Sequence, residues 1–106
     1  MSTATLDQAL ERFVRQTGHW EAPRWALPLD GTPGTRADAL HALITWVADA
    51  AADADGEPHR PVPRLPHDPA LIDQLRVVTA DLRAATPPDA ILTEAAGRLT
   101  ALRSRL

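Results

Sequence analysis

The sequence predicts an all-α protein, a small antiparallel four-helix bundle. Apolar residues recur at intervals of three and four in four stretches, at about residues 5–17, 35–54, 69–85 and 88–105. No stretch alternates apolar and polar residues as a strand would, and proline and glycine collect between the four periodic stretches. With 106 residues, 44% hydrophobic and 24% charged, the chain has the size and composition of one globular unit. We therefore expect a single helical domain over residues 1–106.

The first helix is predicted to begin near Thr5. Thr5 and Gln8 have the spacing of a capping box, in which two side chains satisfy free backbone N–H groups. The apolar residues that follow lie on one face of a helix, and Gly18 is a natural end to it.

Residues 18–34 form a long connector after this helix. The segment contains three prolines but also Trp20, Trp25, Leu27 and Leu29. Such a loop is too apolar to lie free in water, so its large side chains must cover either the core of the bundle or a ligand.

The second helix, residues 35–54, is the clearest element. Thr35 and Asp38 again have capping-box spacing. Trp46 lies on the flank of the inward face, so we expect it to be half exposed or covered by the tryptophan-bearing loop. The residues predicted to point inward are Leu40, Leu43, Ile44, Val47, Ala51 and Ala54.

A stiff connector and the third helix, residues 69–85, come next. Asp55 and Gly56 end the second helix, and five prolines in residues 57–69 favour an extended polyproline conformation. Asp68 is predicted to be the N-cap of the third helix, with Pro69 at its first position.

A short break at Thr86-Pro87-Pro88-Asp89 separates the third helix from the fourth, residues 88–105. Proline suits the first turn of a helix, and Thr86 and Asp89 repeat the capping-box spacing. Because the turn is short, we expect the third and fourth helices to form an antiparallel hairpin.

Missing residue types exclude most enzyme classes. The chain has no cysteine, lysine, tyrosine or asparagine, and its only serines are Ser2 and Ser104. Thiol nucleophiles, Schiff-base chemistry, a P-loop and a serine-hydrolase triad are thereby excluded or disfavoured. We expect a non-enzymatic protein with no cofactor and no catalytic residues.

The net charge and the hydropathy of the chain limit the kinds of partner it can bind. The net charge of −3 argues against nucleic-acid binding, which needs a basic surface. No run of residues has the length and apolarity of a membrane span, and the first residues do not resemble a secretion signal, so a cytoplasmic location is expected. The four histidines lack the i, i+4 spacing of a helical metal site, and no metal site is expected.

Two surfaces remain as candidate sites. The first is a ligand pocket under the tryptophan loop, built from His19, Trp20, Arg24 and Trp25 together with Trp46, which would take an anionic or aromatic ligand. The alternative is a loop strapped over the core, with its charges in solvent.

The second candidate surface is the outer face of the third and fourth helices. It is weakly apolar and rich in small residues, and it could bind a second copy of the chain. The alternative is an ordinary exposed face. The residues of this candidate interface are Val77, Ala80, Ala84, Thr93, Gly97 and Thr100.

Two functions follow from these surfaces. The first is a helical protein-interaction module that binds a protein partner or itself. The second is a small-molecule binding protein with its pocket under the Trp20/Trp25 loop.

Overall fold

The computed structural model describes residues 2–106, and side chains from residue 4 onward. Over this range the protein is all-α, as predicted, and measures 36 × 27 × 24 Å. No helix among the described residues has the length and apolarity to cross a bilayer. The helices are α1 (Ser2–Thr17), α2 (Ala22–Trp25), α3 (Arg36–Ala54), α4 (Leu71–Ala84) and α5 (Asp89–Arg105), with a 3-10 turn (Asp68–Ala70) leading into α4.

Helix α1 begins three residues before the predicted start. Thr5 therefore lies within the helix and is not its cap, so the expected capping box with Gln8 is wrong. The end at Thr17 is confirmed: the Gly18 N–H donates to the Val14 carbonyl at 2.7 Å. A Cβ atom at residue 18 would lie 2.7 Å from the same carbonyl oxygen, so a larger residue would strain this helix end.

Helix α3 has the predicted capping box. The Asp38 N–H donates to Thr35 Oγ1 at 3.1 Å, and the Thr35 N–H donates to Asp38 Oδ2 at 2.9 Å. This second bond is the main reason that the pKa of Asp38 is lowered from its ordinary value.

The far end of α3 also lies where it was predicted. Gly56 has φ +69°, and its N–H donates to the Asp53 carbonyl at 3.1 Å. The Glu57 N–H donates to the Ala52 carbonyl at 2.9 Å, which completes a Schellman motif. Ala54 is exposed and not inward-facing as expected, because the last turn of α3 extends beyond the core.

The starts of α4 and α5 differ from the prediction. Asp68 is not an N-cap: it lies inside the 3-10 turn, and its carboxylate accepts a hydrogen bond from Arg64 at 3.0 Å. Thr86 does not form a capping box with Asp89 either. It has φ +47°, and its N–H donates to the Arg83 carbonyl at 3.2 Å, so it ends α4 without capping α5.

The main helix pairs of the bundle are α1 with α5 and α3 with α4. Helices α1 and α5 run parallel. Their C-terminal ends are joined where Gln16 Nε2 donates to the Arg103 carbonyl at 3.2 Å, and Thr5 and Thr93 line one cavity near their N-terminal ends.

Helices α3 and α4 are also parallel, because the proline-rich connector runs back along α3. His41 Nε2 lies 3.0 Å from the Val62 carbonyl oxygen, and Arg64 reaches Asp38 in the first turn of α3 at 3.4 Å. Helix α4 therefore begins beside the start of α3 and proceeds in the same direction. At its other end, Ala84 lies beside the C-terminal turns of α3.

The order of directions along the chain is consequently up, down, down, up for α1, α3, α4 and α5. The last two helices run antiparallel, as predicted, but they do not form a packed hairpin, because α4 and α5 pack chiefly against other helices. The inward stripe of α5 is buried against α1 and that of α4 against α3. Antiparallel contacts are made across two thinner seams, α1 with α4 and α3 with α5.

Candidate functional site

Trp20 and Trp25 belong to the hydrophobic core. Their exposed fractions are 4% and 0%, and the two rings lie 5.0 Å apart with an interplanar angle of 58°. The short helix α2, which the sequence analysis missed, carries Trp25 and contacts the 3-10 turn before α4. Leu29 is also buried. The loop thus covers the bundle with its own side chains, as in the strapped-loop alternative.

The polar residues of this loop lie outside the core. His19 and Arg24 are exposed. The Arg24 guanidinium lies 4.4 Å from the centroid of the Trp20 ring, and Arg36, from the first turn of α3, lies 5.2 Å from it. Arg36 was not among the predicted site residues, because only the fold brings α3 to this ring.

Trp46 lies elsewhere, at the seam between α3 and α5. Its expected half exposure is confirmed, but its cover is not the tryptophan loop. The Arg98 guanidinium of α5 stacks 4.3 Å from the centroid of its ring. Arg98 also pairs with Glu94 at 2.7 Å, one turn earlier on α5. The five predicted ligand-binding residues are therefore not one constellation.

Two adjoining cavities share Trp46, and together we call them the Trp46 groove. The first, of about 470 Å³, is the acidic half, lined chiefly by Trp46, Asp49, Asp53, His59, Pro87 and Ile91. The second, of about 340 Å³, is the arginine half, lined chiefly by Ala39, Leu43, Trp46, Arg98, Leu102 and Arg105.

In the acidic half, one imidazole lies between two carboxylates. His59 Nε2 is 2.7 Å from Asp53 Oδ1, and His59 Nδ1 is 3.6 Å from Asp49 Oδ2. The hydrogen bond with Asp53 is the largest cause of the raised pKa of His59, because it favours the protonated ring. Even with His59 protonated, the two carboxylates leave this half of the groove negative.

In the arginine half, the charged side chains are Arg98 and Arg105. Arg105 Nη2 donates to the Asp30 carbonyl at 2.5 Å and to Thr32 Oγ1 at 2.7 Å, which ties the end of α5 to the loop before α3. Neither bond neutralises the guanidinium. Arg98 is paired with Glu94, so Arg105 supplies the net positive charge of this half. The two halves of the groove therefore carry net charges of opposite sign.

The six residues of the predicted interface are all exposed. Three of them lie on α4 (Val77, Ala80 and Ala84) and three on α5 (Thr93, Gly97 and Thr100). Ala84 lines a cavity between α3 and α4. Thr93, Gly97 and Thr100 line a cavity of about 460 Å³ between α5 and α1. Val77, on α4, is 60% exposed. Since α4 and α5 are not a packed pair, these residues do not form one continuous face.

Sequence reasoning placed Trp46 correctly on a flank of α3 but missed its groove. Arg98 and Arg105 lie on α5, and no local pattern in the sequence connects them to residues on α3. Among the described residues, no group of three or more metal-binding side chains comes together.

Comparisons of the chain with models of protein families, with curated proteins and with solved structures give no match.

Proposed function

We propose that the protein is a non-enzymatic helical interaction module that binds a second copy of itself through the Trp46 groove. The observation that carries the proposal is the opposite net charge of the two halves, with Asp49 and Asp53 on one side of Trp46 and Arg105 on the other, where Arg98 is paired with Glu94. A surface with this arrangement is complementary to itself.

The geometry favours a two-fold dimer. From Ala39 to Asp53, the face of α3 that lines the groove extends about 21 Å at 1.5 Å per residue. A two-fold axis near Trp46 sets the acidic half of one copy against the arginine half of the other, twice per dimer. Tryptophan and arginine are also the residues that most often dominate the free energy of association.

The interaction would be strongest where Trp46 loses its remaining exposure. The side chain is half-buried in the monomer, and small residues such as Ala39, Ala42 and Ala50 flank it. A surround of small residues allows two backbones to approach closely around a large aromatic side chain. Charges at the two ends then set the antiparallel register.

Sedimentation velocity of the full chain tests this proposal. The wild type should sediment as a dimer, and Asp53→Arg and Arg105→Glu should each be monomeric, because each variant sets like charges against each other. An equimolar mixture of the two variants should recover the dimer, since both pairs of opposite charges are then restored.

The outer face predicted from the sequence supplies the control. Ala84→Glu and Gly97→Glu lie outside the Trp46 groove and should leave the dimer intact. A wild type that stays monomeric at millimolar concentration would contradict self-association. If Ala84→Glu or Gly97→Glu dissociates the dimer while the charge-reversed variants remain dimeric, the interface lies on the outer faces of α4 and α5 and not at the Trp46 groove.

We propose, as the sequence predicts, that the protein is cytoplasmic. Fractionation of the cells that produce the protein tests it, and recovery with the membrane or the exported fraction would overturn it.

A further inference from the structure

We propose that Arg24 and Arg36 form a binding site for a small tetrahedral oxyanion, either inorganic phosphate or the phosphate group of a small metabolite. The site lies at the Trp20 end of the molecule. It is separate from the Trp46 groove and does not depend on self-association.

Two cations converge on one fixed ring. The Arg24 guanidinium carbon is 4.4 Å from the Trp20 centroid, and that of Arg36 is 5.2 Å from it. Trp20 is 4% exposed and packs against Trp25, so the ring cannot move aside. The two arginines come from different segments, α2 and the start of α3, which fold together at this point.

Neither arginine is neutralised within the described residues. Other arginines of the chain, such as Arg64 and Arg83, pair with carboxylates at 3.0 and 2.7 Å. Neither Arg24 nor Arg36 makes such a pair. Asp38, close to Arg36 in the chain, is already bound by the Thr35 N–H and lies 3.4 Å from Arg64.

Arg36 also carries a donor without an acceptor. Its Nε atom is buried and has no hydrogen-bond partner among the described residues. Buried donors are nearly always paired in folded proteins. Because this Nε is enclosed, an anion would bind at the terminal nitrogens of Arg36 and Arg24, which make no hydrogen bond among the described residues. The N-terminal end of the α3 dipole would add to the attraction.

The arrangement selects the class of ligand. Two guanidinium groups offer two planar forks of N–H donors and two positive charges, which match a dianion with three or more oxygen atoms. The Trp20 ring is already covered by the two arginines, so an aromatic ligand has no free ring on which to stack. Of the anionic and aromatic ligands expected for this loop, the geometry favours the anion.

Thermal unfolding of the wild type in phosphate, sulfate, acetate and chloride at constant ionic strength tests the site. At a dissociation constant of about 1 mM, 20 mM phosphate should raise Tm by about 8 °C. Sulfate should act like phosphate, and acetate like chloride. Equal effects of acetate and phosphate would overturn the proposal.

Variants then locate the anion. Arg24→Gln and Arg36→Gln should each weaken phosphate binding at least tenfold. Arg76→Gln, which removes an exposed and unpaired arginine of α4, should leave binding unchanged. Because Arg24 is exposed, Arg24→Gln tests the site even if Arg36→Gln does not fold. An equal loss in Arg76→Gln and Arg24→Gln would show general charge attraction and refute the site.

Discussion

Arg83 on α4 donates a hydrogen bond to Asp7 on α1 at 2.7 Å, across 76 residues of sequence. The pair joins the C-terminal half of one helix to the N-terminal half of the other, so it fixes their antiparallel direction. It lies on the thin α1–α4 seam, where its side chains remain 37% and 45% exposed.

We predict that this ion pair makes a modest contribution to stability. A double-mutant cycle with Asp7→Asn and Arg83→Gln should give a coupling free energy of about 0.5–1 kcal/mol, because solvent screens half-exposed charges. The coupling should decrease in 1 M salt. The Glu11–Arg15 pair within α1 is more exposed and should give a smaller value in the same urea titrations. A coupling above 3 kcal/mol would contradict this account.

A buried hydroxyl without a partner makes Thr79 a site for stabilisation. Its side chain is 0% exposed, and Oγ1 has no hydrogen-bond partner among the described residues. Thr79→Val replaces this hydroxyl with a methyl group and should raise the free energy of unfolding by about 1 kcal/mol.

Thr17 provides the matched control for Thr79. It is equally buried, but its Oγ1 donates to the Phe13 carbonyl at 2.8 Å. Thr17→Val should therefore lower the free energy of unfolding by about 1 kcal/mol, the usual net value of one hydrogen bond. If the two valine variants shift the urea midpoint in the same direction, the missing hydrogen bond of the Thr79 hydroxyl does not determine the effect of Thr79→Val on stability.

The left-handed backbone at Thr86 predicts a second stabilising change. A β-branched residue at φ +47° is strained, whereas glycine adopts this conformation freely. Thr86→Gly should raise the free energy of unfolding by about 0.5–1 kcal/mol, after the greater flexibility of glycine in the unfolded chain is offset. Ala80→Gly, at an exposed position inside α4, should instead lower it by about 1 kcal/mol. Destabilisation by both would show that Thr86 is not strained.

Stability should depend on pH through His59. The Asp53 hydrogen bond raises the pKa of His59 from 6.5 in the folded state. A raised pKa means that the folded protein holds the proton more tightly, so the stabilisation is present below pH 6.5 and is lost as pH rises through the folded-state value. The urea midpoint should therefore decrease above pH 6.5 in the wild type.

Removing the hydrogen-bond partner should remove this dependence on pH. Asp53→Asn should flatten the curve above pH 6.5, and an NMR titration should show the His59 pKa lower than in the wild type. His19→Gln, which changes a histidine outside the cluster, should leave the curve as it is. An unchanged His59 titration in Asp53→Asn would show that Asp53 does not bind the protonated ring.

Local features of the fold were predictable because they depend on neighbours in the sequence. The capping box of Thr35 and Asp38 and the helix ends at Thr17 and Ala54 were all identified from spacing and residue type. The failures were also local in origin. Asp68 and Thr86 have residue types that suit an N-cap. In the structure, however, Asp68 lies inside a 3-10 turn and Thr86 has a left-handed backbone conformation.

The sites were less predictable than the helices. Trp20 and Trp25 could be assigned to either a core or a pocket, because the same apolar side chain serves both and only the surroundings distinguish them. Their burial decided in favour of the core. Arg36 and Arg98 gained their roles from rings on other segments, for which no pattern in the sequence gave a signal.

The sequence by itself determined that the chain is helical, where its four long helices lie to within a few residues, and which face of each is apolar. Only the tertiary structure decided that α1 pairs with α5 and α3 with α4, each in parallel, and hence that Trp46 lies at a groove between α3 and α5. Four apolar stripes of similar width can be paired in several ways that bury comparable area. The choice among them depends on the packing of residues far apart in the chain, and periodicity within one helix carries no information about it.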